Sequence, residues 1–297
     1  MAPLFPRRRR RRNKKAIPAK ASQEACVEWS TLPHDILYSV FLKLGRHEMM
    51  QGAEFVCAAW RCVAVGEPAL WRRVDLADKL LWLPSTSPAE GAMVRAAVDR
   101  SAGQCVSFWG PLDDALRLHL IERAPLLKTI SISRLAASIE VLHMALKKLH
   151  FLEDFYILII AREGLMCCDD GELFESVCQA CPRLKKFILR DDVQFGMSDH
   201  RQSHRGESFV IPMMPKLRSI KFFNFYLTTT VLSTILDSCP LLEYLEVDGV
   251  LDGKIDEELS AKCATVKNLI LPDDPAEKIS KLFICDCWRC EEYCLSE

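Results

Sequence analysis

The chain has 297 residues, 49% of them hydrophobic, enough for one or two packed domains. No run approaches the ~18 apolar residues of a membrane span, so a bilayer-crossing helix is excluded from the expectation. The formal charge of −1 hides an asymmetry: residues 1–20 carry nine basic side chains and no acidic ones, leaving 30 basic against 40 acidic in the rest.

Residues 1–28 read as a disordered basic arm, because Arg7 to Arg12, Lys14 and Lys15 come with few large apolar side chains to bury. The run has the form of a nuclear localisation signal or a nucleic-acid patch, and equally of a solvated tail. It is not followed by the apolar stretch of a secretory signal. With no such leader, the 14 cysteines fit a reducing compartment better than a disulfide framework. Most of them are expected to act as small buried apolar groups.

Residues 29–76 form the first folded segment. Ile36, Leu37, Val40, Phe41 and Leu44 recur with the rhythm of one helix face. Pro33 stands where a first helical residue loses nothing by lacking an N–H, Asp35 suits the first turn, and Gly45 is placed to end the helix. Val56, Trp60 and Val63 mark a second helical face, stopped by Gly66 and Pro68, and Leu70-Trp71 closes the unit. Three short helices bury too little surface to stand firmly alone, so a partner or neighbouring domain is expected.

Leu32-Pro33, Asp35-Ile36-Leu37, Val40 to Leu44, Val56-Cys57, Trp60-Arg61 and Leu70-Trp71, in that order, resemble an F-box. The resemblance covers about a sixth of the chain. It implies docking onto the Skp-type adaptor of a cullin–RING ubiquitin ligase. The residues it assigns to that contact, or to the layer beneath it, are Leu32, Pro33, Ile36, Leu37, Phe41, Leu44, Val56 and Trp60.

A linker is expected over 77–90, where Pro84 to Pro88 enclose Ser and Thr. From 91 to 284 a Leu-x-x-Leu-x-Leu template repeats: Leu127-Ile130-Ile132, Leu152-Phe155-Ile157, Leu184-Phe187-Leu189, Leu217-Ile220-Phe222 and Leu242-Leu245-Val247. Val266-Leu269-Leu271 is a weaker copy and Val106-Phe108 a half-copy. The first anchors are 25, 32, 33, 25 and 24 residues apart, in or near the period of leucine-rich repeats. Helical patterns lie between, and three end in a small residue then proline: Ala124-Pro125, Cys181-Pro182 and Cys239-Pro240, with Cys263 in the same slot. This resembles the cysteine-containing repeat subtype of plant F-box proteins. The fold expected is α/β: a small three-helix F-box, then a curved leucine-rich-repeat solenoid with short parallel strands on the concave face and helices outside.

Alternation along each strand turns the residues between template positions outward. Trp109, Tyr156, Lys186, Lys221, Phe223, Tyr244 and Glu246 are thereby the candidate substrate-binding residues, since aromatics flanked by charge suit a protein-binding face. Residues 191–211 are polar and read as a long exposed loop. His200 and His204 within it stand beside arginines, which argues against a metal there. Cys285, Cys287, Cys290 and Cys294 lie in an acidic tail, 285–297, and are too crowded for paired zinc knuckles. No phosphate loop, nucleophile elbow or zinc-protease helix is present, so no catalytic residue, metal or cofactor is expected.

These features together point to a non-catalytic substrate receptor of an SCF-type ubiquitin ligase, nuclear or cytoplasmic, holding the adaptor and through it a cullin at one end and a protein substrate at the other. Two alternatives stand beside it: a repeat scaffold acting outside ubiquitination, and a nucleic-acid-associated protein using the arginine arm. The rest of the chain shows no basic face with interleaved aromatics to extend such a site.

Overall fold

The computed structural model describes residues 29–76, 88–112, 114–135, 139–159, 170–191 and 211–272. The basic arm, the 192–210 stretch with His200 and His204, and the Cys-rich tail lie outside the described residues.

The first segment builds α1 (His34–Lys43), α2 (Arg46–Gln51), a 3-10 turn (Ala53–Phe55), α3 (Ala58–Gly66) and a second 3-10 turn (Pro68–Trp71). Three expectations change here. Pro33 precedes α1 as its N-cap, in extended backbone, and its carbonyl accepts the first helical bond, from Leu37 N at 3.0 Å. Gly45 does not end α1: Leu44 does, and Gly45 caps the start of α2, which periodicity did not reveal. Val56 lies ahead of α3, in the turn, and not on that helix's face.

The chain then enters β1 (Arg73–Asp75), α4 (Pro88–Arg100), β2 (Ser107–Leu112), α5 (Asp114–Arg123), β3 (Thr129–Leu135) and α6 (Ile139–Leu146). It continues through β4 (Asp154–Ile159), α7 (Asp170–Ala180), β5 (Lys186–Asp191), β6 (Ser219–Thr228), α8 (Thr229–Ser238), β7 (Tyr244–Asp252), α9 (Glu257–Cys263) and β8 (Asn268–Ile270). Eight strands form one sheet in the order β1 to β8, each neighbour parallel. On the solenoid α4 packs on α5, α5 on α6, α6 on α7, and α8 on α9. Each strand–helix unit closes its apolar face only against the next, as a solenoid requires.

The template residues are the core. Phe108, Ile130, Phe155, Phe187, Ile220 and Leu245 hold one register position on consecutive strands, and all are buried. Phe155 stacks on Phe187 at 5.8 Å, and Phe174 from α7 fills the space against Phe187 at 4.6 Å and Phe222 at 5.3 Å. The small residue ahead of each strand also has a backbone role. The carbonyls of Ala124, Cys181, Cys239 and Cys263 each accept from the N–H of the next template residue, at 3.0 to 3.2 Å. All four side chains are buried at this turn between helix and sheet, where an apolar group is required. Leu149 and Met214 fill the same slot in the other repeats, with the same bond at 3.1 and 3.2 Å.

Two boundaries differ from expectation. The sheet begins inside the first segment, because β1 pairs with β2 through Arg73–Ser107, Val74–Phe108 and Asp75–Trp109. The helix α4 starts at Pro88, within the span expected to be linker, and buries Val94, Ala97 and Val98. One hydrophobic core therefore runs from Leu37 to Val266.

Candidate functional site

The first surface is on the helical segment. Trp60 organises it: its indole N–H donates to the Trp29 carbonyl at 2.9 Å, and its ring meets Phe41 edge-on at 5.5 Å and Trp29 at 6.1 Å. Leu37 and Phe41 sit in the core below, and Leu32 and Leu44 are half-buried at its border. Pro33, Ile36 and Val56 face solvent, Ile36 at 48% and Val56 at 55% exposure. The eight residues assigned from the sequence thus divide into an outer apolar set and the layer that supports it. Two large apolar neighbours were missed: Phe55, 64% exposed, and Leu42, also open to solvent. A helical wheel separates Ile36 from Phe41 by about 140°, which was a signal that the five periodic positions could not share one environment. Phe55 had no signal, since it sits in a turn fixed by bonds of 3.0 and 3.2 Å from Phe55 N to Gly52 O and Val56 N to Ala53 O.

This platform packs against the solenoid through a shared core. The Trp71 indole donates to the Ala64 carbonyl at 2.8 Å, and Arg100 of α4 lies over its ring at 4.9 Å. Arg100 Nη1 also stands 2.8 Å from Glu54 Oε2, and both side chains are largely buried. The N–H is not well aimed along this contact, so the pair is held by charge more than by a directed hydrogen bond. On the opposite side Arg46 donates to the carbonyls of Arg73, Leu44 and Phe41 at 3.2, 3.3 and 3.4 Å, tying α1 and α2 to β1.

The second surface is the open sheet face. Register places Trp109, Tyr156, Lys221 and Glu246 along one row, and Lys186 and Tyr244 along the row before it. Phe223 stands one row further, opposite Asp248. Trp109 is 39% exposed, whereas Tyr156, Phe223 and Tyr244 are half-buried among their neighbours. At the β6–β7 end three of the predicted residues engage one another. Lys221 Nζ donates to Glu246 Oε2 at 2.6 Å and to Tyr244 Oη at 3.3 Å, and the Tyr244 hydroxyl donates to Glu246 at 2.9 Å. The hydrogen bond from Lys221 holds the Glu246 carboxyl below its ordinary range, and the same bond raises the Lys221 ammonium. Lys186 lies over the Tyr156 ring at 5.4 Å. Trp109 on β2 and Glu246 on β7 are five strands apart, about 24 Å at ordinary strand spacing, so the seven residues form a broad face and not one pocket.

Among the described residues no group of three or more His, Cys, Asp or Glu is arranged to hold a metal ion, and no helix is long and apolar enough to cross a membrane. The core thiols are unsuited to chemistry. Burial pushes Cys181 and Cys239 up to about 12 and Cys178 well above its ordinary 9.0, so they stay protonated.

A short helical platform fused to a leucine-rich-repeat sheet defines a chain with an N-terminal F-box-like domain, and residues 29–77 match the F-box-like family. The similarity extends through the repeats to named plant proteins. The chain is 27% identical over 264 residues to F-box/LRR-repeat protein 23 of Arabidopsis thaliana, covering 87% of this chain and 56% of that protein. It is 28% identical over 276 residues to F-box/LRR-repeat protein 22 of the same plant, covering 91% and 85%. The chain thus spans about half the length of the first relative and most of the second. A leucine-rich-repeat protein from Legionella pneumophila, LegL7, aligns over 80% of this chain and 78% of its own with a TM-score of 0.40 and 10% identity.

Proposed function

We propose that this chain is the substrate-recognition subunit of an SCF-type E3 ubiquitin ligase. The observation that carries the reading is the exposed apolar set of Pro33, Ile36, Phe55 and Val56 on an F-box-like domain that shares one core with a repeat sheet. Large apolar groups left in water on so small a platform fit a partner-covered surface. In this reading the F-box holds the Skp-type adaptor and through it a cullin. The open sheet face holds a protein substrate through Trp109, Tyr156, Phe223 and the Lys221–Tyr244–Glu246 network. The chain itself catalyses nothing; the packed joint at Trp71 and Arg100 keeps substrate and transfer machinery on one assembly, which accelerates transfer by proximity. The arm at Arg7 to Lys15 serves nuclear import.

Co-purification tests the reading. The full chain expressed in plant cells should bring down adaptor and cullin, and a variant carrying Ile36→Asp and Val56→Asp should bring down neither while keeping its circular dichroism spectrum. Retention of both partners by that variant would refute the docking surface. A fluorescent fusion lacking residues 7–15 should shift from nucleus to cytoplasm with adaptor binding unchanged.

A further inference from the structure

The two edges of the solenoid's open face differ in charge. Just ahead of the strands, Lys128, Glu153, Lys185, Arg218, Glu243 and Lys267 stand side by side on successive repeats. Backbone bonds fix them as neighbours: Glu153 N to Lys128 O at 2.8 Å, Lys185 N to Glu153 O at 2.7 Å, Arg218 N to Lys185 O and Glu243 N to Arg218 O at 2.9 Å. The turns leading into the same strands add Lys147, Lys148, Arg183 and Lys216. All eight cations on this leading edge are exposed.

Its two carboxylates are already engaged. Lys185 Nζ lies 2.8 Å from Glu153, and Arg218 and Lys267 lie 2.7 and 3.4 Å from Glu243. Lys128, Lys147, Lys148, Arg183 and Lys216 make no ion pair among the described residues. Lys128 and Arg183 do flank Glu153, so one carboxylate there faces three cations. Helix C-termini lie on this side and favour positive charge, but that effect fades within one turn, and the cations borne on the strand starts stand beyond it.

Toward the trailing edge Arg190 is exposed near the end of β5, and only the β7–α9 end has the opposite sign. Asp248, Asp252, Asp256, Glu257 and Glu258 are exposed around the end of β7 and the start of α9, with Lys254 among them. A polyanion is attracted to the leading edge and repelled from this acidic end, which biases it toward the strand starts.

We infer that the leading edge binds an acidic peptide segment of the substrate, laid across the repeats from Lys128 to Lys267. This rests on the receptor reading above and names its substrate class. Six strands span about 24 Å, the length of about seven extended residues. A peptide suits the site better than a nucleic acid, because the Asp154 carboxylate lies immediately inside the cationic row and the half-buried Ile188 and the Glu246 carboxylate lie two residues further along the strands, where a second phosphate strand would fall.

The test is fluorescence anisotropy of a short fluorescein-labelled Glu-rich peptide against the full-length chain, in which Arg7 to Arg12, Lys14 and Lys15 are replaced by serine. The arm-neutralised chain should bind the peptide, more weakly as salt rises. Adding Lys128→Glu, Arg183→Glu and Lys216→Glu should weaken binding at least about tenfold, chiefly through slower association. Lys254→Glu should leave it unchanged, and a phosphoserine version of the peptide should bind at least as well. Unchanged affinity in the triple variant, loss of all binding on neutralising the arm, or equal binding of a single-stranded oligonucleotide would each overturn the inference. If the triple variant melts lower than its parent, the single changes Lys128→Gln, Arg183→Gln and Lys216→Gln are measured, and parental affinity in all three overturns it as well. Adaptor co-purification is scored in parallel: loss of the adaptor with peptide binding intact refutes the receptor reading alone.

Discussion

Ile36 and Leu37 are adjacent on one helix and should fail in opposite ways when truncated to alanine. Leu37 is 1% exposed and packs in the shared core with Phe41 and Met49. Leu37→Ala removes buried carbon and leaves a cavity, costing about 2–5 kcal/mol, which lowers the melting temperature by about 5–15 °C in a chain of this size. Ile36 is 48% exposed, so Ile36→Ala changes folding stability by less than about 1 kcal/mol. If Ile36 is a centre of the adaptor contact, its loss should weaken adaptor binding by about 2 kcal/mol, roughly thirtyfold. Thermal melts followed by circular dichroism report the first effect, and calorimetric titration with purified adaptor the second. Parental adaptor affinity in Ile36→Ala would remove Ile36 from the contact, and a parental melting temperature in Leu37→Ala would remove Leu37 from the core. A Phe55→Ala variant should follow Ile36→Ala, since its ring is also in water.

Removing Arg100 strands a buried Glu54 carboxylate and uncovers Trp71, so Arg100→Met should cost about 3–5 kcal/mol in urea unfolding, and adding Glu54→Gln should restore much of it. Gly249→Ala should destabilise strongly, by about 3 kcal/mol or more in the same assay: Gly249 has φ of +148°, and a Cβ there would meet the Phe225 carbonyl oxygen at 2.1 Å. The buried thiols make stability fall at high pH. Their folded pKa values lie above the ordinary 9.0, so the contribution of Cys181 and Cys239 is complete below pH 9 and is lost as pH climbs toward about 12. Urea midpoints should therefore drop between pH 9 and the onset of alkaline unfolding, and Cys181→Ala with Cys239→Ala should flatten that drop. Lys221→Met should break the network with Tyr244 and Glu246, leaving the melting temperature within a few degrees and abolishing substrate capture; capture at parental level would remove that network from the proposed face.

The repeat architecture was legible because its cause is periodic. A strand that buries alternate residues against a helix must place large apolar groups at fixed offsets, so Leu127, Ile130 and Ile132 and their copies carried both the strands and the parallel order. The small residue before proline was likewise visible as Ala124, Cys181 and Cys239, because the turn into each strand buries one apolar side chain at that slot. Sequence also marked Leu32 to Trp71 as one helical unit through the spacing of its apolar residues.

Tertiary structure decided what local pattern could not encode. Ile36 and Leu37 are equally apolar; only the packing of α3 and Trp60 against one side of α1 makes the second core and leaves the first in water. The end of α1 at Leu44 and the separate helix after Gly45 depend on Arg46 bridging the carbonyls of Leu44 and Arg73, which are 29 residues apart. The assignment of Arg73–Asp75 to the solenoid sheet depends on a backbone partner in β2, across an intervening helix. The charged row from Lys128 to Lys267 is scattered through the sequence, and it becomes an edge because parallel register sets one residue of each repeat beside the next.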